Sequence, residues 1–180
     1  MTDYYTGKGD AGDTGILDSK RVSKADDLID AIGCADELNS AIGIALFYIH
    51  DDQIRLDLKM VQNDLFIIGA NLASLNSGKI EKARFDSENI VRIEERLKHL
   101  GRSMPDLKEF VLPGGSEGSV HLHLARTIAR RAERSLVKAS SKYNVDKTVI
   151  AYINRLSSFL FVTSLYLNFK EGIGEQHPTY

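Results

Sequence analysis

Tryptophan is absent from this 180-residue chain, cysteine occurs once and proline three times. The single cysteine, Cys34, excludes an internal disulfide framework and fits a reducing compartment. Prolines at 105, 113 and 178 leave long stretches free to be helical. No run approaches the roughly 20 apolar residues of a membrane span, and the opening MTDYYTGKGD has no apolar core of the kind a secretory signal needs. The expectation is a soluble, cytoplasmic protein. Neither charge is in surplus: 23 basic and 25 acidic residues give a net charge of −2. That offers no global reason to expect a nucleic acid or an anionic membrane as partner. Sustained strand-like alternation is missing as well.

What is present is helical periodicity. The length suits one domain with a substantial core. A first helix fits 23–49, with Ser23 as its N-cap and a stripe through Leu28, Ile32, Ala35, Leu38, Ile42 and Ala45. A second fits 52–76 on Leu58, Val61, Leu65, Ile68, Leu72 and Leu75, and a third fits 87–100, stopping at Gly101. After a glycine- and proline-bearing connection, a fourth fits 119–143 and a fifth 146–170. In the fourth, Val120, Leu124, Ile128, Ala132 and Leu136 form the apolar stripe; in the first, Gly33 and Gly43 would permit close helix approach. The fold expected is an all-α, five-helix bundle over 23–170, with a flexible segment at 1–22 and a tail at 171–180.

The stretch YTGKGDAGDTGIL contains a literal G-x-G-x-x-G at Gly7, Gly9 and Gly12. A dinucleotide fingerprint needs a strand before it and a βαβ unit around it, and neither is present. The glycines still permit backbone N–H groups to face an anion, with Lys8, Thr6 and Thr14 adding a cation and hydroxyls. Composition alone favours a loose tail, as most short terminal segments are. In the fourth helix, Arg126, Arg130 and Glu133 share one face, beside Arg131, Arg134 and Lys138. Arginine forks match phosphate or carboxylate, and Glu133 could hold magnesium on phosphates; a solvated face with an internal ion pair is the plainer alternative. Asn154 and Arg155 interrupt an apolar run, either as packing or as part of a site. Phe110 and Val111 precede Pro113-Gly114-Gly115, as a core plug or as the wall of a planar ligand. His121 and His123, two apart, cannot share a helix face as zinc ligands.

Four segments in this order, TGKGDAGDTGIL, RVSKADDLIDAIGCADELNSAIG, FVLPGG, and ARTIARRAERSLV followed by YINRLSSFLF, resemble the PduO-type ATP:cob(I)alamin adenosyltransferases. The resemblance spans nearly the whole chain. It implies a homotrimer with sites between subunits, transferring the 5′-deoxyadenosyl group of ATP to the cobalt of cob(I)alamin and releasing triphosphate. By the same resemblance Thr6, Lys8, Gly9, Asp10, Gly12 and Thr14 wrap ATP, and Lys24 contacts a phosphate. Arg130 binds ATP, Glu133 helps hold Mg²⁺, and Asn154 lies in the nucleotide pocket. Arg126 pairs with Asp36 across the subunit interface, and Phe110 and Phe161 lie on the corrinoid side. Arg130, Phe110, Asp36 and Arg126 are the candidate catalytic residues. A reductase and an adenosylcobalamin-dependent enzyme are the implied protein partners. Ser158 stands where the family often has an aspartate, and Gly7 and Asp13 depart from its usual glycine-loop context. A non-catalytic ATP- or corrinoid-binding bundle is the alternative; a nucleic-acid binder is disfavoured by the charge and by the lack of aromatics among the arginines.

Overall fold

Every helix starts on a side chain that accepts a hydrogen bond from its own first turn. Asp26 caps α1 (Asp27–Tyr48), Asp51 caps α2 (Asp52–Ala73), and Asp86 caps α3 (Ser87–Arg102). Ser116 caps α4 (Glu117–Ala139) and Asp146 caps α5 (Lys147–Lys170). Such caps contribute about 1 kcal/mol each. The computed structural model describes residues 5–17, 21–75 and 85–179, so residue 76 of the expected second helix lies outside the described residues.

Boundaries shift where local hydrogen bonds compete with the helix. Ser23 is not the first N-cap; its Oγ accepts from Ala25 N at 3.1 Å, closing a turn just before Asp26. Gly101 does not stop α3, because the last turn closes on Ser103, whose N–H donates to the Leu100 carbonyl at 3.0 Å. Of residues 140–143, expected in α4, Ser140 closes the last turn on the Leu136 carbonyl and 141–143 form tight turns back to Lys138 and Ala139. One further departure is a short antiparallel hairpin, β1 (Asp13–Gly15) against β2 (Arg21–Ser23), with Thr14 opposite Val22.

α4 lies between α1 and α5; α2 packs on α1, and α3 packs on α5. Small buried residues on α4 (Ala125, Ala129, Ala132 and Ala139) let it be flanked on both sides. Leu38, Ile42, Leu58, Ile68, Leu122, Leu136, Tyr152 and Phe159 fill the centre. The ring between α2 and α3 is closed by charge. Asp57 accepts from Arg96 at 2.8 Å; Asp64 accepts from Arg92 at 2.5 Å, Asn89 at 2.9 Å and the Tyr152 hydroxyl at 2.7 Å. Burial and the adjoining Asp64 carboxylate push the Tyr152 hydroxyl well above its usual pKa, so it stays a proton donor. α5 is long and apolar enough to cross a membrane by length and composition, but it is a core helix here, with Tyr152, Ile153, Leu156 and Leu160 buried.

Two expectations about helix faces need correction. Val120 and Leu124 are 45% and 51% exposed, so the buried line of α4 runs through Leu122, Ala125, Ala129, Ala132 and Leu136 instead. Ile44 and Phe47 on α1 are also exposed, and the Tyr48–His121 ring stack places that end of α1 beside the start of α4. Neither Gly33 nor Gly43 is a tight approach point: a Cβ at Gly33 would meet nothing, and one at Gly43 would make an ordinary 3.5 Å contact. The tight glycines flank Ser116. A Cβ at Gly118 would come within 2.8 Å of Ile49, and Gly115, at φ +106°, would drive one to 2.1 Å from the Asn168 side chain. Gly115→Ala is therefore expected to destabilise the fold by about 3 kcal/mol, from left-handed strain plus overpacking. Urea denaturation measures it, and an unchanged midpoint would refute the account.

Candidate active site

The exposed polar face of α4 and the outward face of α5 form one wall, and the connection between α3 and α4 forms the other. Between them lies a cavity of about 490 Å³. Its apolar side is built from Leu107, Phe110, Val111, Pro113, Phe161 and Val162. Phe110 is 81% exposed, so it is not a core plug. The polar side carries Arg126, Arg130, Ser157 and Ser158, so Ser158 faces the cavity.

Arg126 lies over the Phe161 ring, with its guanidinium carbon 5.8 Å from the ring centroid, and its buried Nε has no hydrogen-bond partner among the described residues. Burial, and then the neighbouring charge of Arg130, pull the Arg126 pKa downward. His123 sits on the same wall, buried, with Nε2 3.2 Å from Ser164 Oγ. Burial first and the Arg126 charge second lower its pKa, which leaves it neutral at physiological pH.

A second, polar hollow of about 330 Å³ is lined by Arg130, Glu133, Arg134 and Val137. Arg130 borders both cavities, and no hydrogen bond or ion pair from the described residues engages its guanidinium. Glu133 Oε1 accepts from Asn154 Nδ2 at 2.8 Å, while its second oxygen has no partner among the described residues. Asn154 Oδ1 in turn accepts from Arg155 at 2.9 Å, and Arg155 is fixed by Glu94 at 2.8 Å. This relay orients the Asn154 amide with its N–H₂ toward Glu133. The fold thus brings together Arg126, Arg130, Glu133, Asn154, Phe110 and Phe161.

The glycine-rich segment is organised separately. Gly7 at φ +66° and Gly12 at φ +86° take left-handed turns, and the Lys24 N–H donates to the Gly12 carbonyl at 2.9 Å. Thr6 Oγ1 accepts from Lys8 N at 3.4 Å, and Asp10 N donates to the Gly7 carbonyl at 3.2 Å. The Lys24 ammonium lies against Gly9, where a Cβ would meet it at 3.2 Å. Arg21 clamps the turn, donating to both Asp13 carboxylate oxygens and to the Lys8 carbonyl. The hydrogen bonds from Arg21 hold the Asp13 carboxyl below its usual pKa. Asp13, which departs from the family pattern, is therefore a brace for the hairpin. Thr14 sits in β1 opposite Val22. Among the described residues, no hydrogen bond or ion pair joins residues 5–14 to Arg130, Glu133 or Asn154.

Asp36 is exposed and has no partner among the described residues, and it does not meet Arg126; Glu37 pairs with Arg131 instead. Sequence reasoning passed over two residues. His123 stands out in the sequence only beside His121, at a spacing that suits no zinc site. Asn168, whose signal was an amide in the otherwise apolar SLYLNF, is fully buried and fixes the turn before α4.

Comparison with known proteins follows the same lines. The Cobalamin adenosyltransferase family model matches residues 4–167. A corrinoid adenosyltransferase of Mycobacterium leprae is 42% identical over 176 residues, 93% of this chain and 92% of its own. One from Bacillus subtilis is 37% identical over 175 residues, 95% of this chain and 89% of its own. A solved phenylalanine-to-alanine variant of the PduO-type ATP:corrinoid adenosyltransferase from Lactobacillus reuteri, complexed with cobalamin and ATP, has TM-score 0.93 and 31% identity, covering 98% of this chain and 99% of that one. An arginine-to-lysine variant from the same organism, complexed with ATP, has TM-score 0.90 and 33% identity, covering 97% and 99%. With the motif segments in order, the helices in place and the relatives matching nearly end to end, this chain belongs to the cobalamin adenosyltransferase family.

Proposed function

We propose that this protein transfers the 5′-deoxyadenosyl group of ATP to the cobalt of cob(I)alamin, forming adenosylcobalamin and triphosphate. The observation that carries this reading is the position of Arg130, whose guanidinium, without a partner among the described residues, stands at the border between an apolar cavity and a polar one. A reaction joining a nucleotide to a large, mostly apolar ring system needs those two surfaces side by side. Reduced cobalt is itself a strong nucleophile, so the protein needs no general base. It must align the ribose carbon with the metal and stabilise charge on the departing triphosphate. Arg130 suits the second task. Phe110 and Phe161 suit the corrinoid side, where Phe110 can cover the lower face of the ring without coordinating it.

Magnesium fits the polar hollow as a companion of ATP. Glu133 offers one carboxylate oxygen beyond the one held by Asn154, which suits a hard cation whose other ligands are phosphates and water. Thr6, Lys8, Gly9, Asp10, Gly12, Thr14 and Lys24 would supply the phosphate grip. Because no hydrogen bond or ion pair among the described residues joins that segment to Arg130, the reading places it against a neighbour, in a homotrimer with sites between subunits. Two features support that assembly: among the described residues Arg126 has a buried Nε without a partner, and exposed Asp36 has none either. Arg126 with the partner subunit's Asp36 makes a head-to-tail contact, the kind that closes into a ring. The exposed apolar residues Ile44, Phe47, Val120 and Leu124 suit the same contact. Arg126→Ala is expected to shift sedimentation toward smaller species and to lower activity together; an intact trimer with full activity would refute the pairing.

The direct test is anaerobic: protein, ATP, Mg²⁺ and chemically reduced cobalamin, followed by visible absorbance for a light-sensitive cobalt–carbon product. Product that depends on ATP establishes the transferase. Binding of both substrates without product would favour a non-catalytic carrier. In a cell the reaction would take place in the cytoplasm, drawing on a reductase to supply Co(I) and on an adenosylcobalamin-dependent enzyme to use the product.

A further inference from the structure

The last described residues return to the loop that carries Phe110. α5 ends in a Schellman turn: Gly172, at φ +69°, donates to the Phe169 carbonyl at 3.2 Å, and Ile173 donates to the Asn168 carbonyl at 2.9 Å. This reversal sends the chain back along the α3–α4 connection. There Leu112 N–H donates to the Gln176 carbonyl at 2.7 Å, and His177 Nδ1 donates to the Phe110 carbonyl at 2.9 Å. Glu175 accepts from Asn168 Nδ2 at 3.0 Å, and that same nitrogen reaches the Gly114 carbonyl at 3.2 Å. Ile173, Glu175 and His177 also line a cavity of about 720 Å³ that shares Leu107, Phe161 and Val162 with the cavity beside Arg130.

The Phe110 loop has no regular secondary structure, and among the described residues the backbone hydrogen bonds of Phe110 and Leu112 run to His177 and Gln176. What fixes Phe110 and Leu112 is the strap of residues 173–177. We propose that this strap is a positioning element for the corrinoid side of the site, with His177 as the positioning residue that sets where the Phe110 ring stands. The proposal rests on the reading of Phe110 as a corrinoid contact. A carbonyl oxygen accepts only, so Nδ1 carries the proton in this bond whichever state the ring is in. An amide at the same distance from the backbone can replace that donor, so asparagine is the conservative substitute.

The test compares the full-length wild type with His177→Ala, His177→Asn and Phe110→Ala. Amide hydrogen exchange at Leu112 and steady-state kinetics with varied cobalamin or varied ATP are the readouts. His177→Ala is expected to speed exchange at Leu112 and to raise KM for cobalamin about fivefold, the loss of one ordinary hydrogen bond. KM for ATP and the melting temperature should stay as in the wild type, and His177→Asn should restore both altered readouts. Unchanged exchange in His177→Ala overturns the strap. Faster exchange with unchanged cobalamin kinetics overturns its positioning role. A rise in both KM values with a lower melting temperature overturns it too, because that is general loosening. If Phe110→Ala leaves cobalamin kinetics unchanged, the corrinoid reading fails and the positioning role falls with it, while exchange at Leu112 still reports whether the strap exists.

Discussion

Arg130→Ala is expected to lower kcat/KM for ATP by about 10²–10³-fold, the usual cost of removing a donor aimed at developing negative charge. The side chain is exposed and its guanidinium has no partner among the described residues, so its removal orphans nothing and leaves no hole in the core. Melting temperature and assembly should match the wild type. Arg130→Lys keeps the charge and loses the planar fork, and should fall between the two. Steady-state kinetics with varied ATP on pre-reduced cobalamin would show this. Wild-type kinetics in the alanine variant would remove Arg130 from the triphosphate's surroundings and leave the border between the cavities without a function.

A loss of stability as large as that of Gly115→Ala is expected at Asp64, far from the site. Its carboxylate accepts from Arg92, Asn89 and the Tyr152 hydroxyl, and Tyr152 is fully buried. Asp64→Ala removes all three acceptor contacts and leaves a buried hydroxyl without one. Arg92 is 41% exposed and can turn to water, which softens the loss. The expected destabilisation is therefore about 3 kcal/mol, near the lower end for breaking a buried pair. Asp64→Asn should cost less, since an amide oxygen still accepts from Tyr152 but no longer balances Arg92. Urea midpoints of the two variants decide it. Equal midpoints for wild type and Asp64→Ala would mean that apolar packing alone closes α2 on α3.

The helices were legible because their signals are local. The period is set within a few turns, so α2 and α3 start where the spacing places them and α5 one residue later. The α4 face was misread because two apolar lines run along that helix; Val120 and Leu124 are as apolar as Leu122, and choosing the inward line requires knowing the neighbours. The hairpin of β1 and β2 escaped because three-residue strands carry no usable alternation. The spacing of Arg126, Arg130 and Glu133 placed them on one face, and the structure agrees. Their companions Asn154 and Phe161 arrive from α5, across a gap no sequence period encodes; the family resemblance supplied that link. Asp13 shows the reverse case. It departs from the family's usual glycine-loop context, and it is the acceptor that holds Arg21.

The strap constrains the length of the chain more than its composition. Leu112 and Gln176 meet through main-chain atoms alone, so almost any side chain is compatible with that bond. What cannot vary is the number of residues between the Gly172 reversal and His177, since one more or one fewer would carry the Gln176 carbonyl out of register with the Leu112 amide. A one-residue deletion within 173–175 is thus a more severe change than most substitutions there, and a residue-by-residue comparison of the tail would miss it. The tail is specified as a ruler, measured in peptide units from the end of α5.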